Sequence, residues 1–321
     1  MLKSIGLGLA LLIAAAPAVV AQAPWPNRTV KIVVASAPGG GTDTVARVLA
    51  NELSKTMGQQ FIVENRPGAG NVRGSDVVAK SPADGYTLLM SASTLAINHV
   101  MYKQLPYDVA RDFAPITQMV SLPNVLVVGM QEPYRNFGDF LKDARARPGT
   151  LTYGSAGMGT APHMAMELLR ISAGIDLVHV PYTGVAPALN DIIGGRVTGM
   201  LVNFLSAKPQ IDGGTLRALA MSSARRSRFM PDLPTIAESG VPGYEAIQWF
   251  GLLAPAGTPA EIVNRLQAET ARILETQSMK DRLAIEGAEP IGNKPEEFAA
   301  LIKAEMAKWS EVAKAANIKP E

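Results

Sequence analysis

Short apolar runs alternate with helically spaced apolar positions along most of the chain. Val30, Ile32, Val33 and Val34 form a strand-like run, and Val45, Val48, Leu49 and Leu53 follow on one helix face. Phe61-Ile62-Val63-Glu64 and Tyr86-Thr87-Leu88-Leu89-Met90 read as further strands, with a helical stretch through Val72, Val77 and Val78 between them. A strand is expected over 122–128, long enough to leave one lobe and enter the next, then a helix over 137–146 broken by Pro148-Gly149. The same logic then repeats. Strands are expected at 151–153, 177–180, 197–202 and 216–221, with a helix over 186–193 closed by Gly194-Gly195. A loop rich in Pro and Arg over 222–242 returns the chain to the first lobe, where 250–254 reads as a strand. Thr258-Pro259-Ala260-Glu261 has the form of a capping box with Pro at the first helical position. Asn293-Lys294-Pro295-Glu296 opens a last helix to about residue 316. The alternation predicts a parallel α/β arrangement.

Two glycine-rich turns stand between a strand and a helix. The first is Pro38-Gly39-Gly40-Gly41-Thr42-Asp43, and the second is Gly154-Ser155-Ala156-Gly157-Met158-Gly159-Thr160, with Pro162 in the first turn of the following helix. Such a unit points bare backbone N–H groups at the mouth of a sheet, where the helix N-terminus favours an anion. Two of them suggest one anion held between two lobes.

The start of the chain changes where this happens. Lys3 precedes an uncharged apolar run over 5–20, and Ala21-Gln22-Ala23 has the small-x-small form of a cleavage site. The run is short for a bilayer span of about 20 residues, so it reads as a cleavable signal rather than an anchor. No cysteine is present, which excludes disulfides, thiolate metal sites and a lipidated Cys. Loss of Lys3 would take the net charge from +2 to about +1, no electrostatic footprint for nucleic acid. Arg225, Arg226 and Arg228 read as a solvated loop in preference to a partner-binding patch.

Other chemistries fare worse. Gly154-x-x-x-x-Gly159-Thr160 lacks the lysine of a P-loop, and neither turn spells G-x-G-x-x-G. Glu64 ends a strand about where a dinucleotide fold places its ribose acid, but reads better as an exposed strand end. His99, His163 and His179 lack metal-ligand spacing. Ser155, His163 and Asp43 can be drawn as a triad, which would make an exported hydrolase, yet Gly154-Ser155-Ala156-Gly157 is no nucleophile elbow. His163 either faces the cleft or packs and caps its turn. Thr42 and Asp43 either cap the first helix or touch ligand. Arg66 is a carboxylate clamp or the partner of Glu64 or Asp84.

These residues together resemble the Bug-type (TctC-like) substrate-binding proteins of tripartite tricarboxylate transporters. The resemblance runs from Trp25-Pro26 through the first turn, Val63-Glu64-Asn65-Arg66-Pro67-Gly68-Ala69-Gly70 and Asp84-Gly85-Tyr86-Thr87-Leu88-Leu89. It continues through Gly154-Ser155-Ala156-Gly157, Val180-Pro181-Tyr182-x-Gly184, Leu216-Arg217-Ala218-Leu219-Ala220 and Gly251-Leu252-Leu253-Ala254-Pro255, in family order. It implies a two-lobed periplasmic binding protein of the type II, Venus-flytrap class with two crossing connections. The implied division is a signal at 1–23, a first lobe of 24–124 plus 240–321, and a second of 125–239. It implies a monomeric, non-enzymatic periplasmic protein without metal or cofactor. Such a protein would hold a small carboxylate through backbone groups and water and deliver it to a membrane permease, or present it to a sensor kinase. Carried over by position, first-lobe contacts come from Gly40, Gly41, Thr42, Asp43, Ser91, Ser93 and Thr94. Second-lobe contacts come from Ser155, Ala156, Gly157, Gly159, Thr160, Tyr182 and Asn203, beside the candidate His163. Thr198 and Val202 stand where family members often carry acids, which leaves recognition of a ligand amino group unsupported. Met158 replaces a commoner polar residue and implies a less polar pocket.

The exported protein should begin at Pro24, as intact mass measurement on secreted material would show. A chain retaining residues 1–20 would refute the signal reading.

Overall fold

The structure, a computed structural model, describes residues 25–285 and 287–320, so the signal segment expected at 1–23 lies outside the described residues. In the first part of the chain β1 (Val30–Val34), α1 (Gly41–Met57), β2 (Phe61–Asn65), α2 (Val72–Ala79), β3 (Thr87–Ala92) and α3 (Thr94–Met101) alternate. β4 (Phe113–Gly129) follows, then α4 (Phe137–Ala146), β5 (Thr152–Ser155), α5 (Ala161–Ala173), β6 (Val178–Pro181), α6 (Val185–Ile193), β7 (Gly199–Asn203), α7 (Phe204–Asp212) and β8 (Leu216–Met221). The chain closes with β9 (Ile247–Pro255), α8 (Ala260–Glu275), α9 (Gln277–Ile285), β10 (Glu289–Pro290) and α10 (Pro295–Ala315).

The strand order is β2-β1-β3-β9-β4-β7-β5-β6, with β8 and β10 also on β4. The expected parallel arrangement holds within β2-β1-β3 and β7-β5-β6. It fails at the centre, where β9 runs antiparallel to β3, and β4 antiparallel to β9, β7 and β8. β4 is much longer than the strand expected over 122–128, because it begins at Phe113. Pro115 and Gln118 hide this start by interrupting the apolar run, and both stand at register shifts against β9. Over Phe113 to Pro123 the strand pairs with β9; from Asn124 onward it pairs with β7.

Asn124 ties this switch point. Its N–H donates to Ser222 Oγ at 3.0 Å and its side-chain amide to the Ala246 carbonyl at 2.7 Å. The Ser222 hydroxyl donates to the same Ala246 carbonyl at 2.6 Å. Asn124 and Ser222 are buried, so each bond spares a polar group that would otherwise cost about 1–3 kcal/mol. The exit of β8 and the approach to β9 are thereby fastened to the middle of β4.

Four apolar clusters cover the two sheets. One joins parts far apart in sequence: Ile97 and Met101 of α3, Trp309 and Val312 of α10, and Tyr153, Met164 and Leu169 of the β5–α5 unit. α10 thus spans both halves. Its start is as expected, with Glu297 accepting from the Lys294 N–H at 2.9 Å. The capping box expected at Thr258 does not form. The Thr258 hydroxyl donates to the Pro255 carbonyl at 2.8 Å, and Pro259 itself stands at the N-cap.

Phe298 shows why Gly251 is glycine. Its fully buried ring stands edge-on to Trp249, centroids 5.1 Å apart, and occupies the space a Cβ at Gly251 would need. Phe298→Ala should lower the unfolding free energy in urea by about 3–5 kcal/mol. A loss under about 1 kcal/mol would show that α10 collapses into the gap.

Candidate functional site

β1 ends level with β2 and β3, Val34 pairing with Asn65 and Met90. The chain then turns through Gly39, at φ +83°, into α1. Gly40 is the N-cap and no side chain caps the helix; the Thr44 N–H is bonded to the Gly40 carbonyl at 2.9 Å. The expected cap from Thr42 or Asp43 is therefore absent. Asp43 instead reaches back, accepting from the Gly39 N–H, Arg47 Nε and Asn65 Nδ2, each at 2.9 Å. Asn65 also donates to the Ser36 carbonyl at 3.1 Å and accepts from Arg47 at 2.8 Å. Burial pushes the Asp43 pKa up, but the bonds from Arg47, Gly39 and Asn65 outweigh it and hold the carboxyl below its ordinary value. Asp43 braces the turn, and Arg47 is committed to Asp43.

At the end of β3, Ser91 and Ser93 are buried. Ser91 Oγ has no hydrogen-bond partner, while the Ser93 N–H donates to the Trp249 carbonyl at 3.0 Å. Thr94 Oγ1 accepts from Asn71 at 2.8 Å, and Asn98 donates to the Gly70 carbonyl at 2.7 Å. These bonds hold Ala69, Gly70 and Asn71, three successive residues at positive φ, a costly conformation for the two with a Cβ. Arg66 bonds Glu64, so of its proposed roles the ion pair is the one formed; Asp84 pairs with Arg28 instead.

In the second half, β5 ends at Ser155, level with Pro181 of β6. The fully buried Ser155 Oγ accepts from the Gly157 N–H at 3.1 Å and lies 2.6 Å from His179 Nε2. The Gly159 N–H donates to His163 Nδ1 at 3.1 Å, and the Thr160 hydroxyl to the Gly157 carbonyl at 2.7 Å. Gly157 and Gly159 sit at φ +126° and +67°, where a side chain would be strained. Pro162 stands at the start of α5 as expected, and that helix too lacks a side-chain cap. The Tyr182 N–H donates to the Ser155 carbonyl at 3.1 Å, and its hydroxyl to Asp191 at 2.7 Å. Asn203 caps α7, accepting from the Leu205 N–H at 2.9 Å.

The drawn triad does not assemble. Ser155 meets His179 rather than His163, and Asp43 belongs to the other glycine turn. The nearby carboxylate, Glu167, is bonded to Tyr153 at 2.5 Å and to Arg170 at 2.9 Å, so neither histidine has an acid to orient it. The rings of Tyr153, His179 and His163 stack at 4.8 and 4.2 Å between successive centroids. Thr198 and Val202 also tell less than expected. Thr198 Oγ1 accepts from the Thr152 N–H at 3.3 Å, and Val202 lies in the apolar core behind β7. Arg226 pairs with Glu238, in keeping with the solvated-loop reading.

A cavity of about 120 Å³ brings the halves together, with Gly70, Thr94, Asn98 and Tyr102 on one side and Met158, Gly159 and Thr160 on the other. Met158 is exposed beside it. Met101 packs where a Cβ at Gly159 would stand. A larger cavity, about 550 Å³, lies between α1 and α9 and includes no residue of the second half. Asn71 and Asn98 carry no signal in the sequence, and His179 stands out there only as a rejected metal ligand, not as the partner of Ser155. Alternation would place His179 beside Tyr153 only once the β5–β6 register is known.

The arrangement offers uncapped amides at the starts of α1 and α5, positive ends of helix dipoles without a free arginine among the residues described above. Residues 45–318 match the family described as "Tripartite tricarboxylate transporter family receptor". The chain belongs to this family of periplasmic solute-binding proteins, which are not enzymes. It is 39% identical over 289 residues to the "UPF0065 protein in tcbD-tcbE intergenic region" of Pseudomonas sp. strain P51, covering 90% of this chain and 86% of that one. Among solved structures, R. palustris Rpa4515 with adipate is 40% identical, with TM-score 0.80, over 92% of this chain and 100% of that one. MatC (Rpa3494) from Rhodopseudomonas palustris with bound malate is 32% identical, with TM-score 0.74, over 90% and 99%. No helix among the described residues is long and apolar enough to cross a membrane.

Burial, reinforced by the neighbouring His179, depresses the His163 pKa from 6.5 to about 4. The unfolded chain therefore takes up a proton near pH 6.5 that the folded chain refuses until about pH 4. The resulting stability is complete above pH 6.5 and is lost as pH falls to about 4, a total on the order of 3 kcal/mol. Urea unfolding at pH 7 and pH 4.5 should show this loss, and His163→Asn should reduce it. An equal acid loss in the variant would assign it to other groups.

Proposed function

We propose that the cleft between the halves captures a small carboxylate and delivers it to a membrane permease of the tripartite tricarboxylate type. The lobes of this reading are 24–124 plus 240–321 and 125–239, crossed along β4 and at the approach to β9. Gly40 to Asp43 and Ser91 to Thr94 contribute the first wall, and Ser155 to Thr160, Tyr182 and Asn203 the second. The observation that carries the reading is the pair of glycine turns whose helices begin without a side-chain cap. A carboxylate supplies the acceptors those amides lack. The relatives bound to adipate and malate support a di-acid of that size. Export by a cleaved signal belongs to the same reading, since a receptor must meet solute outside the inner membrane.

Adipate and malate should raise the melting temperature and their diamides should not; at about 100 times the dissociation constant the gain is roughly 2.7 kcal/mol. Equal shifts from acid and amide would contradict an anion cradle. Gly40→Val is the cleaner test of the first turn, because Gly40 has ordinary backbone angles (φ −78°) and a Cβ there would meet only the Ala37 carbonyl, at an ordinary 3.7 Å. It should melt like the parent without ligand and lose the adipate shift. Gly157→Val tests the other turn with added backbone strain. A Gly40→Val protein protected by adipate as well as the parent would take the first turn out of the site.

A further inference from the structure

The second glycine turn is held from beneath by two imidazoles. The Gly159 N–H points at His163 Nδ1, which must carry a lone pair to receive it. The Gly157 N–H points at Ser155 Oγ, which in turn lies 2.6 Å from His179 Nε2. The two rings stack at 4.2 Å between centroids, and His163 is buried. We infer that His163 and His179 are positioning residues, two neutral rings that hold the second turn in the shape from which its remaining amides reach an anion. This rests on the ligand reading proposed above.

Burial and the stacked neighbour favour the neutral form and outweigh the one carboxylate nearby. Burial depresses the pKa of both histidines, and their mutual proximity depresses that of His163 further. The charged and titratable groups packed around them are Tyr153 on β5 and Glu167 and Arg170 on α5. Glu167 would favour a charged ring, but its carboxylate is occupied by the Tyr153 hydroxyl and the Arg170 guanidinium. A proton on His163 Nδ1 would set two donors against each other, N–H facing N–H. The Gly159 amide would then lose its acceptor and the turn its brace. The first turn uses a carboxylate, Asp43, for the equivalent task. A second fixed carboxylate here would oppose an anionic ligand, whereas a neutral imidazole accepts a hydrogen bond without adding negative charge.

Nitrogen NMR on ligand-free protein at pH 7 reads the brace directly. His163 should carry its proton on Nε2 and none on Nδ1, and the Gly159 amide should exchange slowly with solvent. His163→Leu keeps bulk and removes the acceptor; Gly159 exchange should quicken and adipate binding weaken, each roughly tenfold. His163→Asn restores a short acceptor that does not titrate and should recover both. A proton on Nδ1 at pH 7 in the parent would overturn the inference, and this arm stands even if the leucine variant fails to fold. Unchanged Gly159 exchange in a folded His163→Leu protein would overturn it also. Faster exchange with unchanged adipate binding would overturn it by the other route, by removing the second turn from the ligand site.

Discussion

The buried hydrogen bonds of Asn124 join three passages of the chain at one point: the middle of β4, the exit of β8 and the approach to β9. Everything on either side is organised from there. β4 belongs to both sheets, so the orientation of β2-β1-β3 relative to β7-β5-β6 is set by the course of one strand. Each parallel set ends at a glycine turn, and each turn opens a helix. Loss of the Asn124 side-chain amide would remove the direct bond from β4 to the Ala246 carbonyl and the acceptor of Gln248, leaving the Ser222 hydroxyl as the remaining link between the exit of β8 and the approach to β9.

The two turns meet a common demand by different means. Both hold backbone amides in a fixed array and both leave their helices without a side-chain cap. In the first, the carboxylate of Asp43 gathers Gly39, Arg47 and Asn65, and the nearby guanidinium offsets its charge. In the second, the His163 ring receives the Gly159 amide, the Ser155 hydroxyl beside His179 receives that of Gly157, and the ion pair of Glu167 and Arg170 stays a layer further back. In the proposed reading the distinction matters, because an uncompensated carboxylate beside the second turn would repel an anionic ligand.

Much of this was legible in sequence. The glycine turns, Pro162 at the start of α5 and the β-branched runs of β1 and β2 are local signals, and local physics produces them. α3 escaped notice because it begins directly after β3 with no loop between them, and α7 because Pro209 lies inside it. Thr258 carried the right pattern for a cap, but a closer acceptor, the Pro255 carbonyl, took its hydroxyl. The braces of the site were not legible. Asp43 with Asn65, Ser155 with His179 and Thr94 with Asn71 join residues on different elements, and only strand register decides which of them meet. The two turns could be read in advance from their glycines; the side chains that hold them in place could not.

The position of α10 bears on how the chain acquires its structure in time. Trp309 and Val312 complete an apolar cluster whose other members include Tyr153 and Met164, and β9 fills the gap between β3 and β4. A chain emerging from its N-terminus can form β1, α1 and β2 early, but it has no central strand for the first sheet until residue 255 has appeared. The core beneath the second turn stays open longer still, until residues beyond 309 arrive. The cluster behind β7 can close without these residues, but the one shared with α10 cannot, so a nascent chain that ends before residue 309 should be cut by protease first around α3, β5 and α5, whose cover is missing.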